Sequence, residues 1–125
     1  MIYGIGIDIV EVTRIKKAMK RWSNRFLRRV FTESEIKYCF NKVDPAAPLA
    51  LRFAAKEAFS KAIGFGFRKG LAFHQIEVIH YPAGQPYLTL HSRARELYEE
   101  CRIKKSLLSL SDEGPYAIAI VILEV

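Results

Sequence analysis

Hydrophobic and polar positions alternate over residues 1–10, and this pattern predicts a β-strand. Ile5, Ile7 and Ile9 share one face of the strand. The opposite face carries Gly4, Gly6, Asp8 and Val10. Because glycine has no side chain, we expect another segment of the protein to approach the backbone closely on this second face.

Helical spacing replaces the alternation after this strand. Residues 11–22 predict an amphipathic helix, and residues 25–31 predict a further short turn of helix that is not counted as a separate element. Thr32 and Glu35 form a capping-box pattern, which predicts another helix ending near residue 40. The proline-containing segment 44–48 is typical of a loop.

The strongest helical signal covers residues 49–63, which are rich in alanine and long side chains. Gly64 follows this segment in the position of a helix C-cap. Together with Gly66 and Gly70, it makes the next segment a glycine-rich loop.

The rest of the chain predicts a second set of strands and one more helix. The helix covers residues 92–101, with Ser92 as its N-cap. The predicted strands are residues 73–81, 86–90, 107–110 and 116–125. The resulting order β-α-α-α-β-β-α-β-β predicts one α+β domain over residues 1–125, with a largely antiparallel sheet and a long central helix.

Composition limits the class of protein further. Half of the 125 residues are hydrophobic, which argues against disorder. The two cysteines form no closely spaced pair, so we expect free thiols and a reducing, cytoplasmic location. Asp8 and Glu11 interrupt the only apolar stretch that could be a secretory signal. The uncharged run at residues 114–123 is too short to span a membrane.

The net charge of +7 is concentrated in one segment. Residues 12–31 contain eight basic side chains and no acidic one, whereas the rest of the chain is nearly neutral. Such a local basic patch attracts an acidic protein, a nucleic acid or an anionic lipid. A small nucleic-acid-binding domain is therefore an alternative, in which Trp22 and Phe26 would stack on bases. This alternative leaves Asp8, Glu57 and the glycine-rich loop unexplained.

Three residues suggest chemistry at a phosphate. Asp8 is a carboxylate in an apolar strand, so it either caps the next helix or binds a cation. Glu57 and Lys61 are four residues apart on the long helix, which fits an ordinary exposed ion pair of about 0.3–0.5 kcal/mol. They also fit a phosphate-binding site, because a lysine one turn before a glycine-rich loop can contact phosphate oxygens. Asp8 and Glu57 together would supply the one or two carboxylates that Mg²⁺ usually takes.

Three segments, in order along the chain, resemble the motifs of a known family. They are GIGIDIVE at 4–11, RFAAKEAFSKA at 52–62 and LSLSD at 108–112. The family is that of the holo-[acyl carrier protein] synthases, the small single-domain branch of the 4′-phosphopantetheinyl transferases. The resemblance spans nearly the whole chain.

The resemblance implies an activity in lipid metabolism, as a step of fatty acid biosynthesis. Such an enzyme transfers 4′-phosphopantetheine from coenzyme A to a serine of an acyl carrier protein and releases adenosine 3′,5′-bisphosphate. Asp8 and Glu57 match the family's Mg²⁺ ligands, and Lys61 matches a residue beside the pyrophosphate. The loop Gly64, Phe65 and Gly66 matches the segment along coenzyme A. Family members of this size are homotrimers with active sites at subunit interfaces.

The third motif implies that Ser111 and Asp112 also contact coenzyme A. Many members have histidine where this chain has Asp112, so a histidine-dependent contact there is absent. Asp112 equally fits a residue that hydrogen-bonds the amides of the following turn.

The resemblance also implies an acidic partner, the acyl carrier protein, which fits the basic segment. We expect the carrier protein, rather than a nucleic acid or a membrane, to dock on Arg14, Arg21, Arg25 and Phe26, with Arg14 the strongest candidate.

Overall fold

A long helix lies across one face of a three-stranded sheet, in a computed structural model that describes all residues 1–125. The helices are α1 (Val12–Trp22), α2 (Asn24–Val30), α3 (Glu33–Phe40), α4 (Ala46–Ile63) and α5 (Ser92–Glu100). The strands are β1 (Ile2–Glu11), β2 (Ile76–His80), β3 (Pro86–Leu90), β4 (Lys105–Glu113) and β5 (Tyr116–Glu124). This order confirms the predicted α+β class. It contains four helices before β2 where the predicted order has three, because residues 24–30 form a separate helix, α2, and not only a helical turn.

All strand pairs are antiparallel, but they form two sheets. The larger sheet has the strand order β1-β5-β4, and β2 pairs with β3 in a separate hairpin. Strand β5 is therefore the central strand. Its residues 117–123 alternate between buried alanine, valine or leucine on the side of α4 and half-buried isoleucine on the other side. Helix α4 packs against β1 and β5, and its contacts with them form most of the core.

The contact between β1 and α4 depends on two glycines. A Cβ atom added to Gly6 would lie 1.9 Å from the carbonyl oxygen of Ala58, and one added to Gly4 would lie 2.0 Å from that of Ala62. Both distances are far below any permitted contact. The absence of side chains therefore lets the strand backbone touch the helix backbone, as the sequence predicted for this face.

The opposite face of the sheet has no element packed on it. Ile5, Ile7 and Ile9 of β1 are 59%, 59% and 58% exposed, respectively. Their partners in β5 are isoleucines as well. We call this surface the isoleucine face; it consists of Ile5, Ile7, Ile9, Ile118, Ile120 and Ile122. It is a continuous apolar surface of the kind that normally marks an interface.

A buried ion pair fixes α4 on the side away from this sheet. The ammonium of Lys56 donates to Glu35 Oε1 at 2.8 Å and to the carbonyl oxygens of Phe73 and Ile76. Glu35 also accepts from the backbone N–H of Thr32 and of Val78. Burial lowers the pKa of Lys56, while the Glu35 carboxylate opposes that shift. The pair thereby joins α3, α4 and β2.

Several element boundaries differ from the sequence prediction. Helix α4 begins at Ala46, within the predicted loop, because Pro48 lies in its first turn, where no backbone donor is needed. The N-cap of α5 is His91 rather than Ser92, and Gln75 accepts from the N–H of Ala94 instead. Residues 73–75 form a 3₁₀ turn, so β2 starts later than predicted. None of the helices combines the length and the apolar character that crossing a membrane requires.

The glycine contact can be tested by substitution. We expect Gly6→Ala to destabilise the fold by about 2–3 kcal/mol, because the new methyl group would force β1 away from α4. The free energy of unfolding, measured in urea, checks this value. Gly84→Ala is the control: that glycine has open space around it and a positive φ of 103°, so only backbone strain of about 1 kcal/mol arises. Equal effects of the two substitutions would contradict the close approach.

Candidate active site

Asp8, Glu57 and Lys61 meet where β1 crosses α4. The ammonium of Lys61 donates to Asp8 Oδ1 at 3.1 Å and to the carbonyl oxygen of Ile7 at 2.9 Å. Glu57 lies one helical turn before Lys61 on the same helix. The side chain of Asp8 is 17% exposed, whereas that of Lys61 is 53% exposed. The structure thus brings together the three residues that the sequence singled out for chemistry.

The simpler interpretations of these residues do not hold in the structure. Asp8 is not a helix cap, because the N-cap of α1 is Glu11 and makes no side-chain capping bond. Lys61 forms its ion pair with Asp8 and not with Glu57, four residues away on the helix. Two acidic residues from different elements therefore face one exposed lysine.

The electrostatics of the site favour a further positive charge. Burial raises the pKa of Glu57, and the negative charge of Asp8 raises it further; Lys61 and Arg14 act in the opposite direction. Two neighbouring carboxylates of this kind are suited to a hard divalent cation. No cluster of three or more His, Cys, Asp and Glu side chains exists in the structure, so such an ion would take its other ligands from water or substrate.

The predicted glycine-rich loop continues directly from α4. Gly64 adopts a left-handed conformation with φ of 96° and ends the helix. Gly66, with φ of 61°, donates its N–H back to the carbonyl oxygen of Ser60 at 3.1 Å. The ammonium of Lys69 lies 4.2 Å from the centre of the Phe65 ring, so the loop also carries positive charge. The loop begins one turn after Lys61, so it continues from the end of the helix that carries Glu57 and Lys61.

Arg14 lies beside these residues, on the neighbouring helix α1. Its guanidinium carbon is 5.4 Å from the centre of the Phe53 ring, one helical turn before Glu57. It also lines a shallow depression together with Lys17 and Tyr116. Arg14 therefore borders the candidate site.

Two of the other predicted docking residues, Arg25 and Phe26, line a second depression. Trp22 and Arg29 complete its lining. Phe26 is half-buried and contacts the ring of Phe31 edge to face at 5.9 Å. Trp22 is 48% exposed, and the Arg21 guanidinium lies 5.0 Å from the centre of its ring. In the sequence, Trp22 is a candidate only for stacking on nucleic-acid bases, but its spacing along the basic segment places it beside Arg25 and Phe26.

Ser111 and Asp112 point to opposite faces of β4. Ser111 pairs with Ile118 and therefore lies on the isoleucine face. Asp112 pairs with Ala117, which is buried on the side of α4. The two residues therefore lie in different surroundings, although the sequence motif joins them.

Asp112 lines a depression that contains three basic side chains, and we call it the basic pocket. Its polar and aromatic members are Tyr38, Lys42, Arg52, His80 and Asp112. Burial, together with the charges of Arg52 and Lys42, lowers the pKa of His80, which favours its neutral form.

Arg52 is the notable member of the basic pocket. It is only 2% exposed, yet no carboxylate lies within ion-pair distance. One terminal nitrogen donates to the Pro48 carbonyl oxygen at 3.2 Å, the other lies 3.4 Å from His80 Nδ1, and Nε has no partner. Buried arginine is normally paired, so this guanidinium is suited to an anion. Arg52 is not among the residues that the sequence singled out, although it opens the second motif and lies one turn before Lys56 on a mostly apolar side of the helix.

Comparison with known proteins supports a specific family. Residues 4–121 match the model of the 4′-phosphopantetheinyl transferase superfamily. The holo-[acyl-carrier-protein] synthase of Geobacter metallireducens is 44% identical over 124 residues, covering 99% of this chain and 98% of that protein. The corresponding protein of Yersinia pestis is 46% identical over 123 residues and covers 98% of each chain.

Solved structures show the same similarity. The holo-[acyl-carrier-protein] synthase of Neisseria meningitidis superposes with a TM-score of 0.94 at 38% identity, and each chain is covered completely. That of Helicobacter pylori, solved in complex with coenzyme A, gives a TM-score of 0.85 at 38% identity and covers 96% of this chain and 99% of that one. The fold and the sequence therefore point to the same group of enzymes.

Proposed function

The chain belongs to the holo-[acyl-carrier-protein] synthases of the 4′-phosphopantetheinyl transferase superfamily, and we propose that Asp8, Glu57 and Lys61 carry out their reaction. These enzymes move 4′-phosphopantetheine from coenzyme A to a carrier-protein serine. The observation that carries the proposal is the meeting of these three residues at the crossing of β1 and α4. The alternative of a nucleic-acid-binding domain explains the basic segment but not this cluster.

Asp8 and Glu57 are suited to hold Mg²⁺. They come from two different elements that the glycine contact holds together, and their mutual repulsion favours a shared dication. When bound, Mg²⁺ neutralises charge on the phosphate oxygens of coenzyme A.

Lys61 and the loop that follows it are suited to the pyrophosphate of coenzyme A. The exposed ammonium of Lys61 can donate to a phosphate oxygen and stabilise the charge that develops on the leaving phosphate. The loop of Gly64, Phe65 and Gly66 follows directly. Open space surrounds its two glycines, so a ligand can approach the backbone there. The attacking group is the carrier-protein serine, so no nucleophile on this chain is required.

The basic pocket suits the 3′-phosphate of coenzyme A. Arg52 offers a buried guanidinium without a counter-ion, and Lys42 adds a second positive charge at the rim. The Asp112 carboxylate lies at the same rim. Because it would repel a phosphate, it faces the ribose or the base of coenzyme A. The released product, adenosine 3′,5′-bisphosphate, retains the 3′-phosphate and can therefore keep its contacts with Arg52 and Lys42.

The acidic carrier protein is expected to dock on the basic segment. Arg21, Arg25, Trp22 and Phe26 form a charged surface with an apolar centre, which fits an acidic helix with one apolar anchor. Arg14 lies between this surface and Glu57, and so beside the incoming serine.

We place the enzyme in a homotrimer in the cytoplasm, in fatty acid biosynthesis. The isoleucine face supports the assembly, because a continuous apolar sheet surface is more stable when a second copy covers it. Ile9 and Tyr116 border both this face and the depression of Arg14, so a neighbouring subunit would adjoin the active site. The free thiols of Cys39 and Cys101 suit a reducing compartment.

Replacing either carboxylate should abolish most of the activity. We expect Asp8→Asn and Glu57→Gln each to lower kcat at least 100-fold, about 2.7 kcal/mol of barrier, because one ligand of the metal is lost. The mass increase of apo carrier protein incubated with coenzyme A and Mg²⁺ measures the reaction. Glu99→Gln, an exposed carboxylate on α5, should leave the rate unchanged. Normal turnover of either site variant at limiting Mg²⁺ would refute the assignment.

The basic pocket predicts discrimination between two forms of coenzyme A. Arg52→Gln should raise the KM for coenzyme A about tenfold or more, because a charged hydrogen bond to the 3′-phosphate is lost. The KM for 3′-dephospho-coenzyme A should not change. Lys42→Ala, at the exposed rim, should give the same pattern with a smaller effect and without disturbing the core. Equal increases for both substrates would place the 3′-phosphate elsewhere.

The docking surface predicts a selective effect on the carrier protein. The double substitution Arg21→Glu and Arg25→Glu should raise the KM for the carrier protein about tenfold and reduce the salt dependence of kcat/KM, while the KM for coenzyme A stays constant. Arg14→Glu should in addition lower kcat, because Arg14 lies near Glu57. Lys104→Glu, at the opposite end of β1 and β5, is the matched charge control. A similar rise in both KM values for the double variant would argue against docking.

A further inference from the structure

The ammonium of Lys61 occupies the place where a cation would approach Asp8. It contacts Asp8 Oδ1 at 3.1 Å, and its second contact is the neutral carbonyl oxygen of Ile7 at 2.9 Å. Asp8 forms no other ion pair. Lys61 is thus the resident counter-ion of one of the two carboxylates assigned to Mg²⁺.

Lys61 is also free to leave this position. Its side chain is 53% exposed, and its ammonium has only two hydrogen-bond partners, Asp8 Oδ1 and the carbonyl oxygen of Ile7. The loop of Gly64 to Gly66 begins one turn further along, with open space on its surface. A rotation about the side-chain bonds of Lys61 therefore moves its charge from Asp8 toward that loop without disturbing the core.

From this arrangement we infer that Lys61 couples the binding of the divalent metal to the binding of coenzyme A, an inference that rests on the proposed metal site. In the absence of coenzyme A, the ammonium neutralises Asp8 and repels a dication from the same carboxylates. The pyrophosphate of coenzyme A attracts the ammonium, which leaves Asp8 available to the metal. By thermodynamic linkage, the metal then strengthens the binding of coenzyme A by the same factor.

The test measures metal binding rather than activity. Mn²⁺ serves as the probe, and free Mn²⁺ is counted by electron paramagnetic resonance in the presence and absence of coenzyme A, without carrier protein. For the unaltered protein we expect weak Mn²⁺ binding alone and at least tenfold tighter binding with coenzyme A. Lys61→Met should bind Mn²⁺ alone at least fivefold more tightly than the unaltered protein, and the effect of coenzyme A should shrink by the same factor.

Two variants control for charge and for folding. Lys61→Arg keeps the positive charge and should retain the weak binding of Mn²⁺ alone. Lys104→Met removes one positive charge far from the site and should leave both affinities unchanged. Circular dichroism checks that each variant is folded.

The outcomes separate this inference from the proposed function. Equal affinities of Lys61→Met and the unaltered protein for Mn²⁺ alone would overturn the coupling role while leaving the metal site intact. Mn²⁺ binding that survives Asp8→Asn unchanged, or no binding even with coenzyme A, would instead overturn the metal site itself and the inference with it.

Discussion

The direct contact between the backbones of β1 and α4 is the constraint on which the active site depends. Gly4 and Gly6 allow the strand to lie against the carbonyl oxygens of Ala58 and Ala62. Asp8 is the next residue on the same face of the strand, so it comes opposite the turn of α4 that carries Glu57 and Lys61. A side chain at either glycine would separate the two carboxylates. The same feature that closes the core therefore sets the spacing of the charged groups.

A second constraint comes from the other side of α4. Lys56 is fully buried and bonded to Glu35, whereas its neighbour Glu57 faces the open site. Breaking such a buried pair by removing one partner typically costs about 3–5 kcal/mol. The pair thus fixes the rotation of the helix about its axis, and this rotation decides which side chains reach Asp8. Stability and chemistry here depend on adjacent residues of one helix.

The sequence predicted most of the helices and strands, and it singled out Asp8, Glu57 and Lys61, because these features are visible in local patterns. The capping box of Thr32 and Glu35 and the terminal Gly64 form as expected. What the sequence could not predict required contacts between distant segments. The ion pair of Lys61 with Asp8 instead of Glu57, the position of Arg14 beside Phe53, and the unpaired guanidinium of Arg52 all depend on how α4 packs. The division of the strands into two sheets also depends on this packing. The β-propensity of the residues is the same whether the strands form one sheet or two, so it cannot decide between them.

The adjacency of Lys56 and Glu57 has a consequence for how this helix can change during evolution. Each residue added to or removed from α4 rotates everything beyond it by about 100° around the helix axis. A single insertion before Lys56 would therefore turn the buried lysine toward solvent and Glu57, the glutamate of the candidate site, toward the core. Two adjacent residues with opposite requirements, one buried and one facing the site, thus constrain insertions and deletions within the part of α4 that precedes them.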